Sequence, residues 1–251
     1  ALDGMERIFG IYNKYGNYTN PSKRRGLNKQ LALYRYADDF IVLARRKDIL
    51  EDYVLPKLED FMKSIGLSLN LAKTRIVNIS EGFDFLGFHF RRFHRRDGTV
   101  KEFIYSPSRN RLDSFLRNLK IWLRKSQHLA VQDIIKGLNR KIRGFCNYFK
   151  WSNAHKAFGY LNHRIYKMLW NWVRHRHQRK RGAKWLRYHY WQPVGGKQWL
   201  FHYKGQKLVE PYRLTTQWWK RPPVRLHTSV FDPNEVEYWL KRADRASWIN
   251  P

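Results

Sequence analysis

Two adjacent carboxylates, Asp38 and Asp39, sit in the segment Tyr36-Ala37-Asp38-Asp39-Phe40, between two short runs rich in β-branched and aromatic residues. Leu33 to Tyr36 and Phe40 to Ala44 read as strands, so the pair falls at the tip of a tight β-hairpin. Along a strand neighbouring side chains point to opposite faces. At a turn both can converge, and two converging carboxylates make a hard-oxygen site suited to Mg²⁺. Asp-Asp is also ordinary turn chemistry, because Asp accepts hydrogen bonds from nearby backbone. The apolar flanks separate the two readings: carboxylates at the end of buried strands are expensive when unpaired, so a cation or an ordered partner is expected.

Two further segments follow. Leu67-Ser68-Leu69-Asn70-Leu71-Ala72-Lys73-Thr74 holds one cation, Lys73, which taken singly reads as a surface lysine on a loop. Gly82-Phe83-Asp84-Phe85-Leu86-Gly87-Phe88 reads as a hairpin whose phenylalanines are mostly core, with Leu86-Gly87 giving another backbone room to approach. Between them a helix is expected. Asp48 with Glu51 resembles a capping box, Leu50, Tyr53, Val54, Phe61, Met62 and Ile65 recur near helical spacing, and Gly66 stops it. Strand, turn, strand, helix, strand, hairpin is an α+β order.

Arg35-Tyr36-Ala37-Asp38-Asp39-Phe40, with the Lys73 segment and the Gly82–Phe88 segment behind it, resembles the catalytic region of reverse transcriptases, in the form found in group II intron maturases. The resemblance implies a polymerase palm. In it Asp38 and Asp39 are ligands of two Mg²⁺ ions, Lys73 lies near the incoming nucleotide, and Phe85, Leu86 and Gly87 hold the primer end. A palm also needs a third carboxylate from an earlier strand, so that metals about 3.5–4 Å apart can be held. Upstream of Tyr34 there are only Asp3 and Glu6, in a stretch resembling the tail of the helix after the family's template-contacting Pro-Gln-Gly segment. The chain thus opens in the middle of the family pattern, without an initiator Met. The fingers and the first half of the palm are expected elsewhere, in the same or a second polypeptide, and this chain alone is expected to be inactive as a polymerase.

With 251 residues and a 43% apolar fraction, one large or two ordinary domains with real cores can form. No run approaches the ~18 apolar residues of a membrane span and no signal peptide opens the chain, so no membrane partner is expected. A cytoplasmic or organellar, non-secreted protein is expected. The single cysteine, Cys146, reads as a small buried hydrophobe. It excludes a disulfide framework and the cysteine-rich zinc element of maturases that carry an endonuclease domain, and the ten histidines lack paired spacing, so no zinc is expected.

Charge is the second strong signal. The formal net charge is +30. Residues 1–105 carry 19 Lys and Arg against 13 Asp and Glu, and residues 106–251 carry 31 against 7. From Ile134 to Val209 there is no acidic residue, while 18 Lys or Arg and six Trp fall in the same stretch. Such a run is a solvated face or a polyanion surface; like charges without counterions repel, and neutralising phosphates releases bound counterions, so nucleic acid is the expected partner.

Three amphipathic helices are predicted here, over Arg109 to Arg124, Ala130 to Lys150 and Asn153 to His175, with apolar stripes that would pack together. Ile142-Arg143-Gly144-Phe145-Cys146-Asn147-Tyr148-Phe149 and Leu169-Trp170-Asn171-Trp172-Val173-Arg174-His175-Arg176-His177 resemble the thumb, or X domain, of group II intron maturases. The resemblance implies that the bundle grips intron RNA and the template–primer duplex through Arg140, Lys141, Arg143, Lys150, Lys156, Arg164, Lys167, Arg174 and Arg176. Of the nearby rings, Trp172 lies on the apolar stripe and reads as core. Trp151 and Trp170 fall off it and are the candidates for base stacking.

After Gln178 a basic hinge, Arg179-Lys180-Arg181-Gly182, leads to an aromatic hairpin predicted over Tyr188 to Phe201 across Gly195-Gly196. One last helix is predicted from Asn234 to Ala243. This basic, irregular region occupies the place of the family's DNA-binding segment. The expected layout is an α+β chain: the C-terminal half of a palm over 1–105, a thumb over 106–178 and a DNA-binding region over 179–251. Two functions follow. One is an intron-encoded reverse transcriptase that assists splicing and mobility, with target DNA as a further partner; the other is a splicing maturase that binds intron RNA without polymerising.

Overall fold

The computed structural model describes residues 4–13, 18–70, 72, 74–193, 199–214 and 236–240. The chain divides into two compact units, one of Ala1–Asn78 with Lys220–Pro251 and the other of Ile79–Trp219. Both mix helix with antiparallel sheet, so the chain is α+β.

The first unit is built on a β-hairpin. β1 (Ala32–Tyr36) pairs antiparallel with β2 (Asp39–Leu43), and the face bearing Leu33, Phe40 and Val42 is turned toward a core of Met5, Phe9, Leu31, Ile49, Leu58 and Met62. A short helix, α1 (Met5–Ile8), is tied to β1 by an ion pair of 2.8 Å between Glu6 and Arg35. The long helix of this unit has two parts, a π-helical stretch over Ile49–Val54 and α2 (Leu55–Ser64). Pro56 accounts for the change of pitch. It has no N–H for the carbonyl four residues back and its ring crowds that carbonyl, so the preceding turn widens. The capping box expected at Asp48 does not form. Asp48 already has helical dihedrals (φ −54°, ψ −37°), caps no backbone N–H and instead accepts from Arg46 at 2.7 Å. Gly66, at φ 75°, ends the helix as expected.

The second unit opens with a three-stranded meander, β3 (Phe83–Phe85), β4 (Phe88–His94) and β5 (Val100–Pro107). Three helices follow: α3 (Arg109–Lys125), α4 (Val131–Phe149) and α5 (His155–Arg176). Ser108 caps α3 by accepting from the Arg111 amide. The predicted stripes are the observed ones. Leu112, Leu116, Leu119 and Leu123 of α3, Ile134, Leu138, Ile142 and Phe149 of α4, and Phe158, Leu161, Ile165 and Leu169 of α5 form one core. Cys146 lies inside it, and burial pushes its thiol up to about 12.

Where an aromatic hairpin was expected from Tyr188, the chain first makes a helix, α6 (Ala183–Tyr190). The sheet starts only at β6 (Trp191–Pro193), which pairs with β7 (Trp199–Tyr203), which in turn pairs with β8 (Gln206–Lys207). Helical spacing explains the shift: Leu186 and Tyr190 are one turn apart and both reach the bundle core, together with Trp191 and Phe201. Asn139 of α4 fixes the end of β8, donating to the Lys207 carbonyl at 2.9 Å and accepting from the Val209 amide at 2.8 Å. The Gly195-Gly196 turn lies outside the described residues. Of the helix predicted over Asn234 to Ala243, residues 236–240 are helical and the remainder lies outside them.

Two glycines inside α4 separate packing from propensity. A Cβ on Gly137 would come within 2.6 Å of the Trp122 ring, whereas one on Gly144 would meet nothing within 4 Å. Gly137→Ala is therefore expected to lose about 1–2 kcal/mol, overpacking outweighing its helix propensity. Gly144→Ala is expected to gain about 0.5–1 kcal/mol. Chemical denaturation of the two variants checks this; a Gly137→Ala protein as stable as its parent would refute the packing account.

Candidate carboxylate hairpin and nucleic-acid interface

At the hairpin tip Tyr36 pairs with Asp39, leaving Ala37 and Asp38 as a two-residue loop. Such a loop needs a positive φ at its first position, and Ala37 supplies it at 55°, in the left-handed region that a residue with a Cβ adopts only under constraint. Leu33 faces the core, while Tyr34 and Tyr36 are 46% and 67% exposed on the opposite face, the one that Asp39 shares. Both carboxylates are exposed, and neither is hydrogen-bonded or ion-paired to another described residue. This corrects the burial argument drawn from the sequence. The strands are buried at their far end and open at the tip, so water solvates the pair and no desolvation cost demands a cation.

What the arrangement offers a metal is chemical: adjacent hard-oxygen donors with no competing partner among the described residues, which fit Mg²⁺. Among the described residues no group of three His, Cys, Asp or Glu side chains assembles. Lys73 lies outside the described residues.

Phe85 and Phe88 close the second hairpin, with Leu86 at φ 51° and Gly87 at φ 80° between them. Two positive φ values in succession define the turn that best matches strand twist, and Leu in the first position is strained. The helices hold it there. Tyr148 Oη of α4 donates to the Leu86 carbonyl at 3.0 Å, and the Ser108 amide donates to the Gly87 carbonyl at 2.9 Å. Phe88 packs edge-on against Phe149, ring centres 4.9 Å apart, and stacks on Tyr148. Phe83, stacked on Phe90, and Phe88 are packing residues, as expected. Tyr148 was missed as a support of the turn, since 62 residues separate it from Leu86 and its own helix gives no hint of a partner in a loop.

The cations divide by role. Arg140, Lys141 and Arg143 on α4, and Lys156, Arg164, Lys167 and Arg174 on α5, are exposed, with Lys150 half-buried at the end of α4. They lie on helix faces opposite the apolar stripes, so the core fixes their direction. Lys141, Lys150 and Arg164 rest over the rings of Trp122, Trp151 and Tyr160. Arg176 differs. Its Nη1 donates to the carbonyls of Gln127 and Leu129, at 2.8 and 2.9 Å, and its guanidinium lies over the Trp172 ring. It ties the α3–α4 loop to the end of α5.

Trp172 is 3% exposed and belongs to the core, as expected. Trp170 packs against Trp191, and Trp151 keeps an exposed face beneath Lys150. No helix among the described residues is long and apolar enough to cross a membrane.

Comparison with known proteins finds two matching segments, the first running from the carboxylate hairpin's unit into the opening strands of the second. Residues 6–90 match the family described as "Reverse transcriptase (RNA-dependent DNA polymerase)", and residues 112–191 match "Group II intron, maturase-specific domain". An "Uncharacterized 91 kDa protein in cob intron" of Schizosaccharomyces pombe is 28% identical over 159 residues, 55% of this chain and 19% of that protein. The "Group II intron-encoded protein LtrA" of Lactococcus lactis is 28% identical over 167 residues, 56% of this chain and 27% of that protein. The chain thus spans about a fifth to a quarter of the length of these relatives. The carboxylate hairpin thus falls in the segment that matches reverse transcriptases and the helical bundle in the segment that matches the group II intron maturase-specific domain, so the chain is similar to group II intron reverse transcriptase/maturases over both.

Proposed function

We propose that this chain is the C-terminal portion of a group II intron-encoded protein that binds intron RNA, assists its splicing and mobility, and in the complete polypeptide copies RNA into DNA. The observation that carries the reading is the exposed Asp38-Asp39 tip, unpaired among the described residues, on a chain that also bears a cationic bundle. A splicing factor alone has no physical need for paired carboxylates there. Residues 1–105 act as the second half of the palm, 106–178 as the thumb and 179–251 as the part that reaches target DNA.

Asp38 and Asp39 would hold two Mg²⁺ ions together with a carboxylate from the preceding part of the palm. When bound, the ions activate the primer 3′-oxygen and neutralise charge on the transferred phosphate. Lys73 stands near the triphosphate. Phe85, Leu86 and Gly87 orient the primer end, and the rigid turn supported by Tyr148 and Ser108 suits that task. Arg140, Lys141, Arg143, Lys150, Lys156, Arg164, Lys167 and Arg174 bind phosphates, and Arg176 preserves the loop beneath them. The compartment is the bacterial cytoplasm or an organelle.

RNA affinity of the full chain is expected to fall about a thousandfold between about 50 and about 200 mM salt, as for a protein neutralising about six phosphates. Filter binding measures it, and a change of less than about twofold would remove the phosphate-binding assignment. Asp38→Asn in the complete polypeptide is expected to abolish primer extension and leave intron RNA affinity unchanged. Extension at the parental rate would remove the catalytic assignment.

A further inference from the structure

A cleft of about 320 Å³ opens between α5, α6 and β7, lined by Tyr166, Arg187, Tyr188, Trp191 and Trp199. Its rings are held by one another. Trp191 is buried and meets Tyr166 edge-on, with centres 5.6 Å apart, and Tyr188 meets Trp199 edge-on at 5.2 Å. Yet Tyr166, Tyr188 and Trp199 remain 41%, 58% and 45% exposed, in a unit whose core has room for Leu186, Tyr190 and Phe201. Three large rings left around one opening form a built surface, since isolated exposed aromatics are commonplace and converging ones are not.

The chemistry of the occupant follows from charge. Aromatic cages that accept ammonium groups use the negative faces of the rings. Here the guanidinium of Arg187 stands 6.0 Å from the Trp199 ring centre, and no acidic residue occurs between Ile134 and Val209. A cation would be repelled. A flat, apolar ligand that also carries an anion satisfies both the rings and Arg187, and an unstacked nucleotide is such a ligand. The volume is near the lower bound of small-ligand sites, about 300 Å³, which suits one nucleotide rather than a duplex.

We propose that the cleft formed by Tyr166, Arg187, Tyr188, Trp191 and Trp199 binds one unpaired base of a single-stranded nucleic acid, stacking it against the exposed rings and pairing its phosphate with Arg187. The cations of α4 and α5 grip phosphates without regard to base; this cleft adds a requirement for an unpaired base. The inference rests on the nucleic-acid reading of this unit, and its test separates the two.

The probe is a short single-stranded RNA with one central 2-aminopurine, bound to the full chain, beside the deoxy version, the same strand with an abasic position, and a fully paired duplex. Stacking is expected to quench the probe. Trp199→Ala and Tyr188→Ala are each expected to relieve the quenching and weaken single-strand binding about tenfold, or about 1.4 kcal/mol, while duplex affinity is unchanged. The abasic strand is expected to bind the parent as weakly as the intact strand binds Trp199→Ala. Equal quenching in the ribo and deoxy probes would assign the cleft to either strand type, and quenching in the ribo probe alone to RNA; both support it. Undiminished quenching in both variants, or equal affinity for abasic and intact strands, would overturn the cleft assignment while leaving the basic faces in place. An acidic peptide that binds and loses affinity in Trp199→Ala, with no quenching of the RNA probe, would assign the cleft to a protein and overturn it. Failure of the parent chain to bind any RNA would overturn the nucleic-acid reading itself.

Discussion

The apolar seam joining α3, α4 and α5 sustains the larger unit, because it must hold together a surface whose charges repel. Lys136 and Arg140, Arg140 and Arg143, and Arg164 and Lys167 each stand one helical turn apart, and such like pairs cost about 0.2–0.5 kcal/mol apiece. A buried Leu, Ile or Phe contributes about 1.5–3 kcal/mol, and each of the three helices places at least four in the core. Packing wins with a wide margin. The bundle can therefore leave its cations unneutralised, and an unneutralised face is what a phosphate chain is drawn to.

The smaller unit obeys the opposite constraint. Its acidic tip has no burial, and its form is set by backbone geometry: a two-residue loop with Ala37 in the left-handed region throws both carboxylates into solvent. The hairpin body is anchored below by Leu33, Phe40 and Val42. In the metal-binding role proposed for it, such a solvated tip suits ions that arrive with their water and exchange it for carboxylate oxygen.

Helices were the most legible part of the chain. Stripes at helical spacing placed α3, α4 and α5 within a residue or two, because nothing competes with a continuous apolar face of that length. The hairpins at Asp38-Asp39 and Leu86-Gly87 were legible from their flanks and turn residues. The errors came where a local rule met a stronger tertiary one. Asp48 has the spacing of a capping residue but lies within the helix, whose pitch Pro56 sets; Tyr188 to Tyr190 read as strand from their aromatics, yet Leu186 and Tyr190 reach the bundle only from a helix. Site residues followed the same division. Cations on helix faces were foreseeable, while the structural duty of Arg176 and the reach of Tyr148 to Leu86 depend on folding distant segments together.

Tyr148 sits one residue before Phe149, and these neighbours face a loop and the bundle interior at once. The turn proposed to steady a primer end is in this way fastened to the scaffold proposed to clasp intron RNA. Lesions in that seam would reach both activities together, so copying and splicing phenotypes should refuse to segregate there, however cleanly alleles elsewhere in the gene divide them.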